Sequence, residues 1–145
     1  MSFVISQPVT EEELKKYYHL RWKILRAPWG QPEGSEVDDT ESQCIHVMAV
    51  TPDNEVIGVA RLQFNSTSEA QIRYMAVDDK HQGTGVGRAL VSAIEKHATD
   101  SSHTKIILDA RENAVNFYQA LGYQIIGKSY LLFDSIQHFQ MFKAL

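Results

Sequence analysis

Residues 71–88, QIRYMAVDDKHQGTGVGR, constrain the fold of this chain more than any other segment. Ile72, Tyr74, Met75, Ala76 and Val77 form an apolar strand pattern that runs through a short polar bend into Gln82-Gly83-Thr84-Gly85-Val86-Gly87-Arg88. Val86, Ala89, Leu90, Ala93, Ile94 and His97 then recur at helical spacing. A strand, a glycine loop and a helix in that order aim several backbone N–H groups at one anion. Glycine lets the backbone approach closely, and the helix N-terminus adds partial positive charge. The segment is expected to hold a phosphate or pyrophosphate.

Two familiar phosphate loops do not fit. A triphosphate loop needs a Lys and a Ser or Thr after its last glycine, whereas Arg88 and Ala89 follow Gly87. A dinucleotide fingerprint spaces its glycines as GxGxxG directly after the first strand of a βαβ unit. Here Gly83, Gly85 and Gly87 alternate, and the loop lies mid-chain behind Asp78–Gln82.

Composition narrows the class further. At 145 residues the chain suffices for one domain with a real core, expected to span 1–145. A hydrophobic content of 43% with 22% charged residues suits an ordinary soluble globule. The formal net charge of −4 argues against general nucleic-acid binding, which needs a basic footprint. The lone Cys44 cannot form an internal disulfide, so a reducing cytoplasm is the expected compartment. MSFVISQPV lacks a basic leader followed by an apolar core, and no apolar run is long enough to span a membrane.

The rest of the chain alternates. Phe3–Ser6 reads as a strand, and Thr10 with Glu13 makes a capping box for a helix over about 11–26. Residues 27–42 read as a loop carrying Glu33, Glu36, Asp38, Asp39 and Glu41. Cys44–Val50 and Val56–Phe64 read as strands joined by a Thr-Pro-Asp-Asn turn, with Glu69–Val77 as the next strand. After the glycine-loop helix come a short buried strand, Lys105–Leu108, and a helix over Glu112–Leu121 ended by Gly122. Tyr123–Ile126 and Ile136–Phe142 close the sheet as antiparallel strands. The expected fold class is α/β, a mixed but mostly antiparallel sheet flanked by helices.

Gln82-x-x-Gly85-x-Gly87 behind a strand ending Met75-Ala76-Val77 resembles the acetyl-coenzyme A signature of the GCN5-related N-acetyltransferase (GNAT) family. Asn113-Ala-Val-Asn116-Phe117-Tyr118-Gln-Ala-Leu121-Gly122-Tyr123 resembles that family's second motif, in the family's order. Asp134-Ser-Ile-Gln-His138-Phe-Gln-Met141 resembles an ending found in the family's ElaA/YjcF-like branch. The resemblance implies acetyl-CoA as co-substrate and a sheet whose central strands splay apart. It further implies that the pantetheine arm lies against the exposed backbone of Met75, Ala76 and Val77, with the pyrophosphate on Gln82–Gly87. Arg88 would pair with a coenzyme phosphate, and Asn116 would reach the pantetheine arm.

Moving an acetyl group from a thioester to an amine needs a neutral amine, a stabilised oxyanion and a proton for the leaving thiolate. By the same resemblance Tyr118 supplies that proton, and the Val77 N–H faces the oxyanion. Phe117 reads as core. Many members carry a Glu where this chain has Arg73, which cannot act as a base because it stays protonated. His138 matches the branch ending and titrates near neutrality, making it the candidate base ahead of His46 and His81. A second departure is Arg111, where the family often has Asn.

Arg21 and Arg26 suit a substrate carboxylate, Trp29 suits packing over a substrate, and Arg73 points to the same wall. The acidic stretch Glu33–Glu41 reads as a solvated loop, with attraction of a cationic amine as the alternative. Two function classes follow: an N-acetyltransferase acting on a small-molecule or protein amine, and a non-catalytic acyl-CoA-binding module. Neither calls for a metal, a membrane or a nucleic acid, and a homodimer stays compatible with both.

Overall fold

The computed structural model describes residues 2–145. Seven strands form one sheet: β1 (Val4–Ser6), β2 (Ile45–Val50), β3 (Val56–Phe64), β4 (Glu69–Val77), β5 (Lys105–Arg111), β6 (Gln124–Leu132) and β7 (Ile136–Ala144), in the order β1-β2-β3-β4-β5-β7-β6. Only β4 and β5 pair in parallel, and the other neighbours are antiparallel. The mixed, mostly antiparallel sheet expected from the sequence is the one observed.

Helix α1 (Glu11–Leu25) opens with the anticipated capping box. The Glu13 N–H donates to Thr10 Oγ1 at 3.1 Å, and the Thr10 N–H donates to Glu13 Oε1 at 2.9 Å. Its Tyr17, Leu20 and Leu25 pack against Met48, Val59 and Ala76 on one face of the sheet. Helix α2 (Val86–Asp100) covers the other face through Val86, Leu90, Val91, Ile94 and Ala98. β3 is thus buried on both sides, and for that reason its sequence is a near-continuous apolar run. A Cβ at Gly58 would lie 2.7 Å from Val86 Cγ1 and 2.9 Å from Leu90 Cδ1. The missing side chain lets the first turn of α2 sit directly on the sheet.

Several boundaries differ from the sequence reading. β5 continues to Arg111, and a 3₁₀ turn at Glu112–Ala114 precedes the shorter helix α3 (Val115–Ala120). β6 and β7 each run nine residues and form an outer hairpin longer than expected.

The acidic loop also differs. Glu33 and Asp39 stay exposed, as in a solvated loop, but Asp38 and Glu41 turn inward onto two fully buried arginines. Arg21 Nη1 lies 2.8 Å from Glu41 Oε2, and Arg61 Nη1 lies 2.8 Å from Asp38 Oδ1 and 2.9 Å from Glu41 Oε2. Glu36 is buried and accepts the Gly34 N–H at 2.7 Å. The Arg61 guanidinium beside Asp38 holds that carboxyl well below the usual carboxylate range. Arg21 also donates to Glu36 O and Tyr17 Oη. It is therefore a structural ion-pair partner and is not available to a substrate.

In β4, Tyr74 takes a left-handed backbone (φ 53°), and the pairing with β3 slips between Val59 and Arg61. This is a β-bulge, and it redirects the strand. Pairing between β4 and β5 ends at Ile72–Leu108, so the two strands part from there on.

Glu41 is the shared anion of the two buried guanidiniums. Glu41→Ala is expected to lower unfolding stability by about 3–5 kcal/mol in urea titration. Lys96→Ala, which removes only the exposed pair with Asp100, should change it by less than about 0.5 kcal/mol.

Candidate active site

The glycine loop, the freed end of β4 and α3 enclose a groove of about 530 Å³. Gly83 (φ 75°) and Gly85 (φ 90°) are left-handed, and the space above each is open. Gly85 is the N-cap of α2 and no side chain caps that end. The first helical bond runs from the Ala89 N–H to the Gly85 carbonyl at 3.0 Å, leaving the N–H groups of Val86, Gly87 and Arg88 directed out of the helix end. Open glycines and uncapped donors at the mouth of a groove fit an anionic group such as a pyrophosphate. Gly87 serves packing instead, since a Cβ there would meet Phe117 Cζ at 3.0 Å and Met75 Cε at 3.3 Å. Its bareness allows α2, α3 and β4 to converge at the groove floor.

Met75, Ala76, Val77, Gln82, Gly83, Gly85, Gly87 and Arg88 all line this groove. Thr84 and Val86 do not present their side chains to it. The Thr84 hydroxyl turns back to donate to the His81 carbonyl, and Val86 is buried against Gly58. Asn116 lies on the exposed side of α3, and Asn113, three residues earlier, takes the place in the groove wall expected of it. The Asp78 N–H donates to Ile57 O on β3 at 2.9 Å. Because strand donors alternate in direction, the Val77 N–H points the other way, into the gap.

A second cavity of about 260 Å³ opens across the gap, between the end of α1, β4, β5 and the β6–β7 hairpin. Met75, Ala114 and Tyr118 line both spaces. Tyr118 is buried, its hydroxyl lies 3.3 Å from Met75 Sδ, and burial pushes its phenol above the ordinary value. The hydroxyl therefore keeps its proton at neutral pH.

His138 reaches the cavity from β7. Its Nδ1 lies 3.0 Å from the Ile136 carbonyl, which can only accept. Nδ1 therefore carries the proton, and Nε2 keeps a lone pair. Its ring stacks on Tyr130 at 4.2 Å, and burial lowers its pKa below the ordinary 6.5.

Arg26 and Arg73 line the same cavity. Trp29 does not: the Arg111 guanidinium covers its ring at 4.5 Å, and Trp29 stacks beside Phe133 behind it. His46 is tied between Tyr17 Oη (2.8 Å) and Glu41 O (2.7 Å), and His81 is buried beside Asp78.

Among the polar residues of the cavity wall, the sequence reading did not single out Asp109, Arg111 as a wall residue, Tyr130 or Gln71. The signal for the first two lay in β5, where Ile106, Leu108 and Ala110 are buried and Asp109 and Arg111 alternate with them. Ending that strand at Leu108 hid their shared face.

Residues 14–123 match the model of a family described as "Acetyltransferase (GNAT) family". The chain belongs to the GNAT family. The family uses acetyl-CoA, and acetyl transfer is its general chemistry, so the protein is an N-acetyltransferase of GNAT type. It is 29% identical over 133 residues to a Bacillus subtilis (strain 168) protein described as "Uncharacterized N-acetyltransferase YjcF", covering 92% of this chain and 94% of that one. Among solved structures, a GNAT family acetyltransferase from Elizabethkingia anophelis with acetyl-CoA bound superposes with a TM-score of 0.81 at 17% identity, covering 99% of this chain and 98% of the other. Escherichia coli ElaA superposes with a TM-score of 0.79 at 18% identity, covering 98% of each chain. These structures share the GNAT fold with this chain.

The convergence at Gly87 is directly testable. Gly87→Val should cost about 1–3 kcal/mol through overpacking against Phe117 and Met75, read as a lowered midpoint of chemical unfolding.

Proposed function

We propose that the protein is an acetyl-CoA-dependent N-acetyltransferase that moves the acetyl group directly to an amine held in the cavity, with residues 1–145 acting as one catalytic domain. The observation that carries this reading is the meeting of the groove and the cavity at Tyr118. A donor laid along the freed end of β4 and an acceptor in the cavity then share one boundary. Acetyl-CoA supplies the activated acetyl thioester, and the chain supplies the rest.

The Val86–Arg88 N–H groups and the open glycines bind the pyrophosphate, with Arg88 beside it. The backbone of Met75–Val77, unpaired with β5, takes the pantetheine amides as a missing strand would. The Val77 N–H, pointing into the gap, stabilises the developing oxyanion. Tyr118 protonates the leaving thiolate. His138 Nε2, the ring nitrogen without a proton, accepts the proton released by the amine. The depressed pKa of His138 sets the sign of its pH response. Its neutral form persists below the pH at which an ordinary histidine gains a proton and is lost as pH falls through the lower folded value.

Calorimetric titration with acetyl-CoA, followed by thiol release over a panel of amines, tests the reading. Micromolar binding with amine-dependent release is expected. Binding without any release would favour a non-catalytic acyl-CoA module, and no binding would overturn both. Gly85→Glu should abolish binding, because a side chain at φ 90° would be strained and its charge would repel the pyrophosphate. Tyr118→Phe should lower kcat by about a hundredfold while acetyl-CoA affinity stays within about twofold. His138→Ala should remove the acid limb of the rate–pH profile below 6.5; an unmoved limb would assign the proton to another group.

A further inference from the structure

The arginines of this protein divide into two sets. Arg21 and Arg61 are fully buried and paired with Glu41 and Asp38. Arg26 and Arg111 are partly buried, line the cavity, and have no carboxylate within 4.0 Å among the described residues. They are also held side by side. Arg26 Nη1 donates to the Leu25 carbonyl at 3.0 Å, and Arg111 Nη2 donates to the same carbonyl at 3.2 Å. One oxygen at the end of α1 thus clamps two like charges together. Among the described residues, Arg26 Nη2 and Arg111 Nη1 have no protein acceptor. Burial and the neighbouring Arg26 hold the Arg111 guanidinium below its usual range, as expected where two cations share a partly desolvated site.

Arg73 adds a third guanidinium to the wall, reaching Asp38 only at 3.9 Å, and among the described residues Asp109 is the sole carboxylate lining it. Three cations against one anion, in a partly open cavity, is an arrangement completed by an incoming anion. That anion is not the coenzyme's pyrophosphate, because Arg26 and Arg111 line the cavity and not the groove under the glycine loop. The volume of about 260 Å³ lies below the roughly 300–1,000 Å³ of sites for drug-sized ligands, so the occupant is small.

We propose that the acceptor is a small anionic amine, of the amino-acid or phosphoamine type, whose carboxylate or phosphate is bound by Arg26 and Arg111 while Asp109 faces its ammonium. This rests on the acetyl-transfer reading of the cavity and names the substrate class within it.

The test measures thiol release from acetyl-CoA with matched pairs that differ in the anion: phenylalanine with phenethylamine, lysine with cadaverine, and phosphoethanolamine with ethanolamine, with the other L-amino acids alongside. At least one anionic amine should be used with kcat/KM tenfold or more above its partner. The arm that responds distinguishes carboxylate from phosphate. Arg26→Gln and Arg111→Gln should each lower kcat/KM for that amine by about ten- to a hundredfold, mainly through KM. Neither should move its partner by more than about threefold. Calorimetric affinity for acetyl-CoA should be unchanged in both variants and doubles as the check on folding. Arg26→Gln, at the end of α1, keeps the test open if Arg111→Gln, inside β5, does not fold. Equal or better use of the uncharged-tail partners, variants that depress both partners alike, or no use of any anionic amine would each overturn the proposal while leaving acetyl transfer standing. Loss of acetyl-CoA binding in the unmodified protein would overturn the reading beneath it as well.

Discussion

The left-handed backbone at Tyr74 is the constraint from which the two-sided site follows. A non-glycine residue in that conformation costs about 1–3 kcal/mol and persists only where its surroundings over-determine it. Here the Tyr74 ring is hemmed in by Arg21 at 4.6 Å and Arg61 at 4.7 Å, with Arg73 and Arg26 further out. Desolvated cation–π contacts are worth about 1–2 kcal/mol each. Two of them are of the size needed to offset the strain. The guanidiniums are in turn fixed by Glu41 and Asp38, which belong to the loop after α1. A causal chain therefore runs from an acidic loop, through two buried arginines, to a tyrosine ring, to a bulge. The bulge turns β4 away from β5, and the parting makes room for a ligand.

This chain of contacts explains why the acidic residues and the arginines cannot be assigned by charge alone. Five carboxylates in one loop suggest a field reaching into solvent. In the folded protein, Asp38 and Glu41 are consumed internally and Glu36 is buried, so only Glu33 and Asp39 of the five face outward. The same accounting makes Arg26 and Arg111 conspicuous. They are the guanidiniums of the cavity that the internal anions do not reach.

The glycine-loop side of the site was legible in the sequence because it depends on local chain chemistry. Alternating glycines, a preceding strand and a following amphipathic helix specify open backbone donors without reference to distant residues, and the groove contains eight of the residues expected there from the sequence. The acceptor side was legible only in part. Its wall is assembled from the end of α1, the far half of β4, β5 and the β6–β7 hairpin, so membership depends on register. Arg21 and Arg26 illustrate this. They lie five positions apart on neighbouring turns, look equivalent in sequence, and end up as a buried structural cation and a cavity wall residue. Strand alternation beyond Leu108 was the one unread local cue, and it would have placed Asp109 and Arg111 on one face.

Arg73 ties these threads together. A carboxylate at that position would share the cavity wall with Arg26 and Arg111 and would neutralise part of it. With arginine there instead, the wall is more positive and β4 offers no base. In the proposed reaction the proton acceptor therefore comes from the opposite side of the gap, from β7, where the Ile136 carbonyl fixes the His138 tautomer and the Tyr130 ring fixes its plane. A cationic wall also disfavours protonated amines and disfavours protonation of His138 itself, to which Arg111 contributes after burial. One residue in β4 thus links the sign of the cavity, the location of the base and the class of acceptor.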